Sequence, residues 1–550
     1  VTPEELSAEV IRVLSEAVEA GELTLEVPET VVVERPKDRA HGDWATTVAM
    51  QLAGRAGMPP RDLAEILAAR LGGVEGVTGV DVAGPGFINI TLDAAAVGEL
   101  ARTIVESGED YGHNRSMAGR VINLEFVSAN PTGPLHLGHT RWAALGDALS
   151  RVLRACGAEV TDEYYINDAG SQMDIFARSV LARIRGEELP EGGYPGEYVA
   201  GLADEVLAQR ADVADMDPGE ALPVVRDLAY EAQLAQIRGT LLDFGVTFDV
   251  YFSEQSLHRE GRLEEAVATL REQGHIDDRD GAVWLRTTDF GDDKDRVLIK
   301  ADGEPTYFAA DAAYYLSKRE RGFAEKIYLL GADHHGYVAR LKAIAACAGD
   351  DPEQNIEILI GQLISVSGAR LSKRAGNMIE LTELIEWLGA DALRYTLARS
   401  PADSPLDIDP ELLRSRTNDN PVFYVQYAHA RACAAARNAA DHGVGHGAPG
   451  AGFDAGLLSA PEEEELLARL GRFPSVVAGA AEMREPHRIA RHLEGVAAAY
   501  HSWYATCRMV PRAGEEITDT NRTRLWLNDA TVQVLRNGLA MLGVSAPEKM

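Results

Sequence analysis

Val121-Ile-Asn-Leu-Glu-Phe-Val-Ser-Ala-Asn-Pro-Thr-Gly-Pro-Leu-His136-Leu-Gly-His139 is the stretch that decides the fold. Its first seven residues are a mostly apolar run of strand length. A Pro/Gly loop follows and opens into a helical pattern from about His139 to Ala155, with Gly157 placed to close it. Strand, loop and helix in that order make one βα unit of a parallel sheet. Outward from it, Lys326-Ile-Tyr-Leu-Leu330 and Ile356-Glu-Ile-Leu-Ile360 are further strand candidates. The pattern predicts an α/β domain over 116–410, a doubly wound parallel sheet of Rossmann type with a polar, acidic insertion near 170–300. Residues 1–115 read as a small N-terminal α/β unit. After about Pro410 only helical periodicity remains, over 421–437, 462–480, 487–507 and 519–542, so 411–550 reads as an all-α bundle.

The loop between strand and helix carries the chemistry. A helix N-terminus offers free N–H groups and positive potential to phosphate. Gly138 lacks a side chain and permits close approach by a base, while His136 and His139 can donate hydrogen bonds to phosphate oxygens whose charge grows during displacement. Far downstream, Ala369-Arg-Leu-Ser372-Lys373-Arg374-Ala-Gly376-Asn377 sets three cations beside Ser and Gly, a basic loop suited to clamping a triphosphate. Alone it is an ordinary solvated turn. In a chain with only eight lysines, a lysine at that place carries more weight.

Composition narrows the rest. The 550 residues are too many for one ordinary domain, and 46% hydrophobic with 25% charged residues excludes wholesale disorder. No run approaches the length of a membrane span, and the first residues carry glutamates where a secretory signal would be basic. Cys156, Cys347, Cys433 and Cys507 are too far apart for a metal finger, so the reduced cytoplasm is the expected compartment. Net charge is −33, yet residues 411–550 hold 15 basic against 16 acidic residues, a balance of −1. The nearly neutral, Arg-rich last quarter is therefore where an anionic polymer meets least repulsion.

Together, the His136–His139 and Arg370–Arg374 elements resemble the paired "HIGH" and "KMSKS" signatures of class I aminoacyl-tRNA synthetases. Glu125-Phe-Val-Ser-Ala-Asn130, Tyr164-Tyr-Ile-Asn-Asp-Ala-Gly170, Leu330-Gly-Ala-Asp-His-His-Gly336, Asp391-Ala-Leu-Arg394 and Asn420-Pro-Val-Phe-Tyr-Val-Gln-Tyr-Ala-His-Ala-Arg431 narrow the resemblance to the arginyl-tRNA synthetases, in order from His41 to Met550. The resemblance implies ATP-dependent formation of arginyl-adenylate from L-arginine and its transfer to the 3′ end of tRNA(Arg). It implies His136, His139 and Lys373 at the reacting phosphate, Gly138, Asp333 and Ser372 at ATP, and Mg2+ arriving with ATP. No protein-bound metal is expected. Tyr307 and Asp311 would meet the substrate guanidinium with Glu125 adding negative charge, and Ser128 and Asn130 would hold the amino acid's backbone end. Class I enzymes use Asp333's position for ribose or for the amino acid, and the residues do not choose between them. This chain departs from many arginyl enzymes in keeping the second lysine of its KMSKS-like element, as Lys373.

For RNA, the resemblance assigns 411–550 (the DALR domain) to the anticodon side and 1–115 to the tRNA's D-loop. In Gly84-Pro-Gly-Phe87-Ile-Asn89, an aromatic face and an amide suit stacking and reading one unstacked base. A core Phe87 and a turn Asn89 are the blander reading. Tyr424, Tyr427 and Arg431 would face the anticodon stem-loop. A monomer is the family expectation. Another class I ligase and a noncatalytic tRNA-binding paralogue stand as alternatives, although a paralogue would be expected to have lost His136, His139 or Lys373.

Overall fold

The computed structural model describes residues 3–34, 36, 41–74, 76–367, 379–447 and 452–550. The N-terminal unit opens with α1 (Pro3–Glu19), whose Leu6, Val10, Val13, Leu14 and Ala17 recur at three and four residue intervals and are fully buried. They cover a sheet of β1 (Val33–Glu34) and β2 (Trp44–Thr46) together with α2 (Val48–Ala56), α3 (Pro60–Leu71), β3 (Val77–Ala83) and β4 (Phe87–Leu92). The strands pair antiparallel in the order β1-β2-β4-β3. The stretch read as 1–115 divides near Leu92. In α4 (Ala94–Ser107), Leu100, Ala101 and Ile104 pack into the main core instead. Gly98 allows this, since a Cβ there would meet the Ala455 carbonyl at 2.2 Å. Asn537 Nδ2 donates to the carbonyls of Gly108, Glu109 and Tyr111, fixing the same segment to the C-terminal bundle.

The expected parallel-sheet α/β domain begins with β5 (Val121–Glu125), α5 (Leu137–Ala155) and β6 (Glu159–Ile166). A helical excursion of α6 (Ser171–Arg185), α7 (Glu197–Gln209) and α8 (Pro218–Asp243) then returns to β7 (Val250–Ser253). The insertion is thus two excursions, because β7 is a strand of the main sheet. The second comprises α9 (Glu254–Arg259), α10 (Arg262–Glu272) and a small antiparallel sheet of β8 (Ile276–Arg279), β9 (Ala282–Leu285) and β10 (Arg296–Ile299). The chain re-enters through α11 (Tyr307–Glu320), β11 (Glu325–Gly331), α12 (Val338–Cys347) and β12 (Ile356–Gly361). All pairings in the order β12-β11-β5-β6-β7 are parallel. Strand order reverses between β5 and β11, so a crevice opens beyond their C-terminal ends.

Beyond the sheet come β13 (Ile364–Val366), α13 (Leu381–Leu388), α14 (Ala390–Ala398), β14 (Leu406–Ile408) and α15 (Pro410–Arg414), with β13 and β14 paired parallel. The bundle is α16 (Pro421–Asp441), α17 (Pro461–Gly471), α18 (Phe473–Glu482), α19 (His487–Thr506) and α20 (Asp519–Met541). The stretch read as one helix over 462–480 is two, α17 and α18, because Pro474 cannot continue a helix but suits the first turn of a new one. Bundle and catalytic domain share one core, and Arg394 is its polar hub. The Arg394 side chain is 1% exposed and pairs with Asp147 on α5, donating also to the carbonyls of Phe244 (2.9 Å) and Leu542 (3.2 Å). The backbone at Gly543 is left-handed (φ 64°) and a Cβ there would run into the guanidinium, so any side chain would have to displace the buried Arg394.

Candidate active site

The crevice is a cleft of about 1200 Å³ lined by β5, the loop after it, α5, α11, β11 and the strand ends of β12 and β13. Two residues after β5, the backbone is left-handed at Val127 (φ 68°) and Ser128 (φ 41°), neither of them glycine. A β-branched residue there is strained. The turn swings Ser128 back, so that its hydroxyl donates to Glu125 Oε1 (3.2 Å) and accepts the Tyr165 N–H (3.1 Å). His136 then becomes the N-cap of α5. Its Nδ1 accepts the Gly138 N–H (3.1 Å), and Nδ1 of His139 accepts the His136 N–H (3.3 Å). Each imidazole spends Nδ1 as an acceptor, which leaves the neutral ring's proton on Nε2. Burial keeps both rings neutral, lowering the pKa of His136 and pressing that of His139 down to about 3, with His136 adding to the second effect. The ring centroids are 3.9 Å apart. Two neutral N–H donors at a helix N-terminus suit an anion whose charge grows. Gly138 has a further reason to be glycine, since a Cβ would lie 3.0 Å from the His136 ring.

On the other wall, Asp311 faces the cleft one turn after Tyr307, which opens α11 behind the N-cap Thr306 and is 67% exposed at the rim. Tyr337 donates to Asp311 Oδ2. Burial holds the Asp311 carboxyl up at about 7, and the negative charges of Glu254 and Glu125 push the same way. Glu254, at the junction of β7 and α9, also lines the cleft and is 4% exposed. Its carboxyl is raised by burial despite a bond from the Tyr165 hydroxyl. Glu125 is different. Lys318, fully buried on α11, donates to Glu125 Oε2 at 2.5 Å and lies over the rings of Tyr314 and Tyr328. Glu125 therefore enters the site already ion-paired, whereas among the ion pairs of the described residues no Lys or Arg reaches Asp311 or Glu254, and only His258 Nε2 lies 3.9 Å from Glu254. Glu163, deeper, is consumed by two bonds from Arg321 and one from Tyr314. Asn130 stands exposed at the rim, its Nδ2 donating to Gln172 (3.1 Å).

Ser372 and Lys373, with Arg370 and Arg374, lie outside the described residues, as does the side chain of Asp333. The flanks of the basic loop are nonetheless placed. Val366 before it and Ile379 after it both line the cleft. The segment following it is laced to the histidine loop by Leu137 N to Ile379 O and Leu381 N to Leu135 O, each 2.8 Å.

Family comparisons agree along the whole chain. The model of the class I (R) tRNA synthetase catalytic domain matches residues 101–191 and 216–396. That of the arginyl-tRNA synthetase N-terminal domain matches 4–92, and that of the DALR anticodon-binding domain matches 425–550. An arginine–tRNA ligase of Paenarthrobacter aurescens (strain TC1) is 66% identical over 552 residues, covering 100% of both chains. One from Renibacterium salmoninarum is 67% identical over 552 residues with the same coverage. The chain belongs to the arginyl-tRNA synthetase family. The solved arginyl-tRNA synthetase of Thermus thermophilus, 24% identical and covering 100% of both chains at a TM-score of 0.75, agrees in fold.

Against this family frame, the surfaces expected to meet RNA separate. Phe87 is 40% exposed at the start of β4, while Asn89, two residues on and so on the same face, is only 7% exposed. On α16, Arg431 donates to the Tyr427 hydroxyl (2.7 Å), contacts His501 (3.1 Å) and lies over the rings of Tyr427 and Tyr504. Tyr424 packs on His501. The three predicted residues thus share one half-open aromatic cluster, to which the structure adds His501 and an exposed Tyr504. In the arginyl-tRNA synthetase cleft, sequence reasoning missed Glu254, Lys318 and Tyr337. Glu254 had a signal, a carboxylate directly after the short strand Val250–Ser253. Lys318 had none, because a lysine late in a helix reads as a solvated charge.

Proposed function

We propose that this chain is an arginine–tRNA ligase whose cleft seats L-arginine with its guanidinium between Asp311 and Glu254 and its carboxylate toward the two histidine Nε2–H groups. One observation carries the reading: two largely buried carboxylates with no Lys or Arg partner among the ion pairs of the described residues face a cleft whose other wall presents neutral N–H donors at a helix N-terminus. A planar guanidinium accepts this arrangement because carboxylates take its forked donors as charge-assisted pairs. The arginine carboxylate attacks the α-phosphate of ATP and pyrophosphate leaves. A ribose hydroxyl of the tRNA's terminal adenosine then attacks the acyl carbon, releasing AMP. His136 and His139 donate to the phosphate oxygens as charge builds, and Lys373 of the basic loop serves the opposite side. Gly138, Ser372 and Asp333 border the nucleotide, Tyr307 covers the guanidinium, and Ser128 and Asn130 meet the amino acid's backbone end.

Mg2+ comes as the ATP complex in this reading. Among the described residues no group of three His, Cys, Asp or Glu is arranged to hold an ion. The tRNA lies across the Phe87 hairpin and the Tyr427–Arg431 cluster. We place the reaction on a monomer in the cytoplasm. The four cysteines are free and buried, and no helix among the described residues is long and apolar enough to cross a membrane. The test is incubation with labelled arginine, ATP and tRNA. Acid-precipitable label that requires all three is expected, and label from another amino acid in place of arginine would refute the assignment.

A further inference from the structure

We infer that Asp168 is a positioning residue for arginine recognition, acting by pinning the backbone on both sides of Glu254. The inference rests on the proposed role of Glu254. Asp168 follows β6 and is 6% exposed. Its Oδ2 accepts the Ser253 hydroxyl at 2.5 Å and its Oδ1 accepts the Gln255 N–H at 2.8 Å. Those are the residues immediately before and after Glu254. The Tyr230 hydroxyl of α8 adds a third bond, at 3.1 Å to Oδ2, and Arg226 of α8 donates to the Asp168 carbonyl at 3.2 Å. The neighbouring Asn167, in the amide orientation that satisfies both its ends, donates to Glu254 Oε2 (3.1 Å) and to the Ala169 carbonyl (3.3 Å). One loop therefore fixes both the backbone and one oxygen of the recognition carboxylate.

The residue type fits this task. All three groups facing the Asp168 carboxylate are donors, so the site needs an acceptor at both oxygens, which an amide cannot supply without turning N–H groups toward donors. No cation reaches the Asp168 carboxylate oxygens among the hydrogen bonds and ion pairs of the described residues; Arg226 instead pairs with Asp174. Asp168 is thus used for its geometry as an acceptor, and its negative charge adds to the forces that raise the Glu254 carboxyl. The position also matters for mechanics. Glu254 opens a short helix directly after a short edge strand, between two excursions from the sheet. The β6–β7 register ends at Ser253 and the Tyr165 hydroxyl reaches the carboxylate, but it is the loop after β6 that bonds the backbone on the far side, at Gln255.

A thermodynamic cycle on the full chain decides it. Arginine and ATP affinities are measured by titration calorimetry for the unchanged protein, Glu254→Gln, Asp168→Ala and the double variant. Glu254→Gln is expected to weaken arginine about tenfold or more, as loss of a charged hydrogen bond does. Asp168→Ala should weaken arginine to a similar extent with ATP affinity unchanged. In the Glu254→Gln background it should change arginine affinity by less than about twofold, because a residue acting through another has nothing left to act on. Multiplying factors in the double variant, or unaltered arginine affinity in Asp168→Ala, would overturn the inference while leaving Glu254 in its role. Unaltered affinity in Glu254→Gln would instead sink the reading of the pocket itself. If Asp168→Ala fails to fold, Asp168→Asn, which keeps the volume, goes through the same cycle with the same deciding outcomes.

Discussion

Arginine binding by this cleft should release a proton near neutral pH. Asp311 is held at about 7 in the arginine-free protein by burial and by the charges of Glu254 and Glu125. A guanidinium seated against it favours the ionised form and pulls that value down. The sign follows: the free protein carries the proton, the bound one does not, so affinity rises with pH and levels off above about 7. At pH 6 roughly one tenth of Asp311 is ionised, so arginine should bind about tenfold more weakly than at pH 8, a difference of about 1.4 kcal/mol. Glu254, raised for the same reason, steepens the fall at lower pH. Calorimetry in buffers of different ionisation enthalpy counts the protons directly. About 0.9 proton should leave per arginine at pH 6 and about 0.1 at pH 8. Asp311→Asn should lose both the affinity and this pH dependence. An affinity constant within twofold across that range, or protons taken up on binding, would refute the reasoning.

Other perturbations separate the remaining parts of the site. Lys373→Ala should slow adenylate formation on the order of a hundredfold, by analogy with a lost oxyanion donor, while tRNA affinity stays the same; a normal single-turnover rate would assign the phosphates to Arg370 or Arg374. Lys318→Met strands a mostly buried carboxylate at Glu125, and should cost about 3 kcal/mol or more in denaturant unfolding; a loss under about 1 kcal/mol would show that Glu125 does not depend on the ion pair. Arg431→Ala dismantles the contacts joining Tyr427, His501 and Tyr504. It should weaken tRNA about tenfold, by roughly 1–3 kcal/mol if a stacked base is lost, with arginine affinity intact; equal tRNA affinity would mark the cluster as packing.

What the sequence disclosed, and what it withheld, follows from the range of the forces involved. The β5 strand, the histidine loop and α5 were legible because apolar run, Pro/Gly loop and helical period are local signals. So were α16, α19 and α20, each amphipathic over many turns. Strand β7 was not, since Val250–Ser253 is only four residues long, too short to show a period, and becomes a strand by pairing with β6. Missing β7 meant missing Glu254 beside it. Tyr307 and Asp311 were found at helical spacing, but Lys318, farther along α11, turns inward to Glu125 across a gap of 193 residues. That partnership leaves no trace in local pattern. The left-handed backbone at Val127 and Ser128 was equally hidden, because those residue types do not advertise such a turn.

Arg394 gives the molecule a fixed ruler. It fastens the helix that carries His136 and His139 to the carbonyl at the end of α20, with no room at Gly543 for anything but the guanidinium. Close-packed interiors do not stretch by small degrees. The distance from the aromatic cluster on α16 to the histidines is therefore held by packed core, and if RNA seats at that cluster as proposed, that distance sets how far its 3′ end must reach.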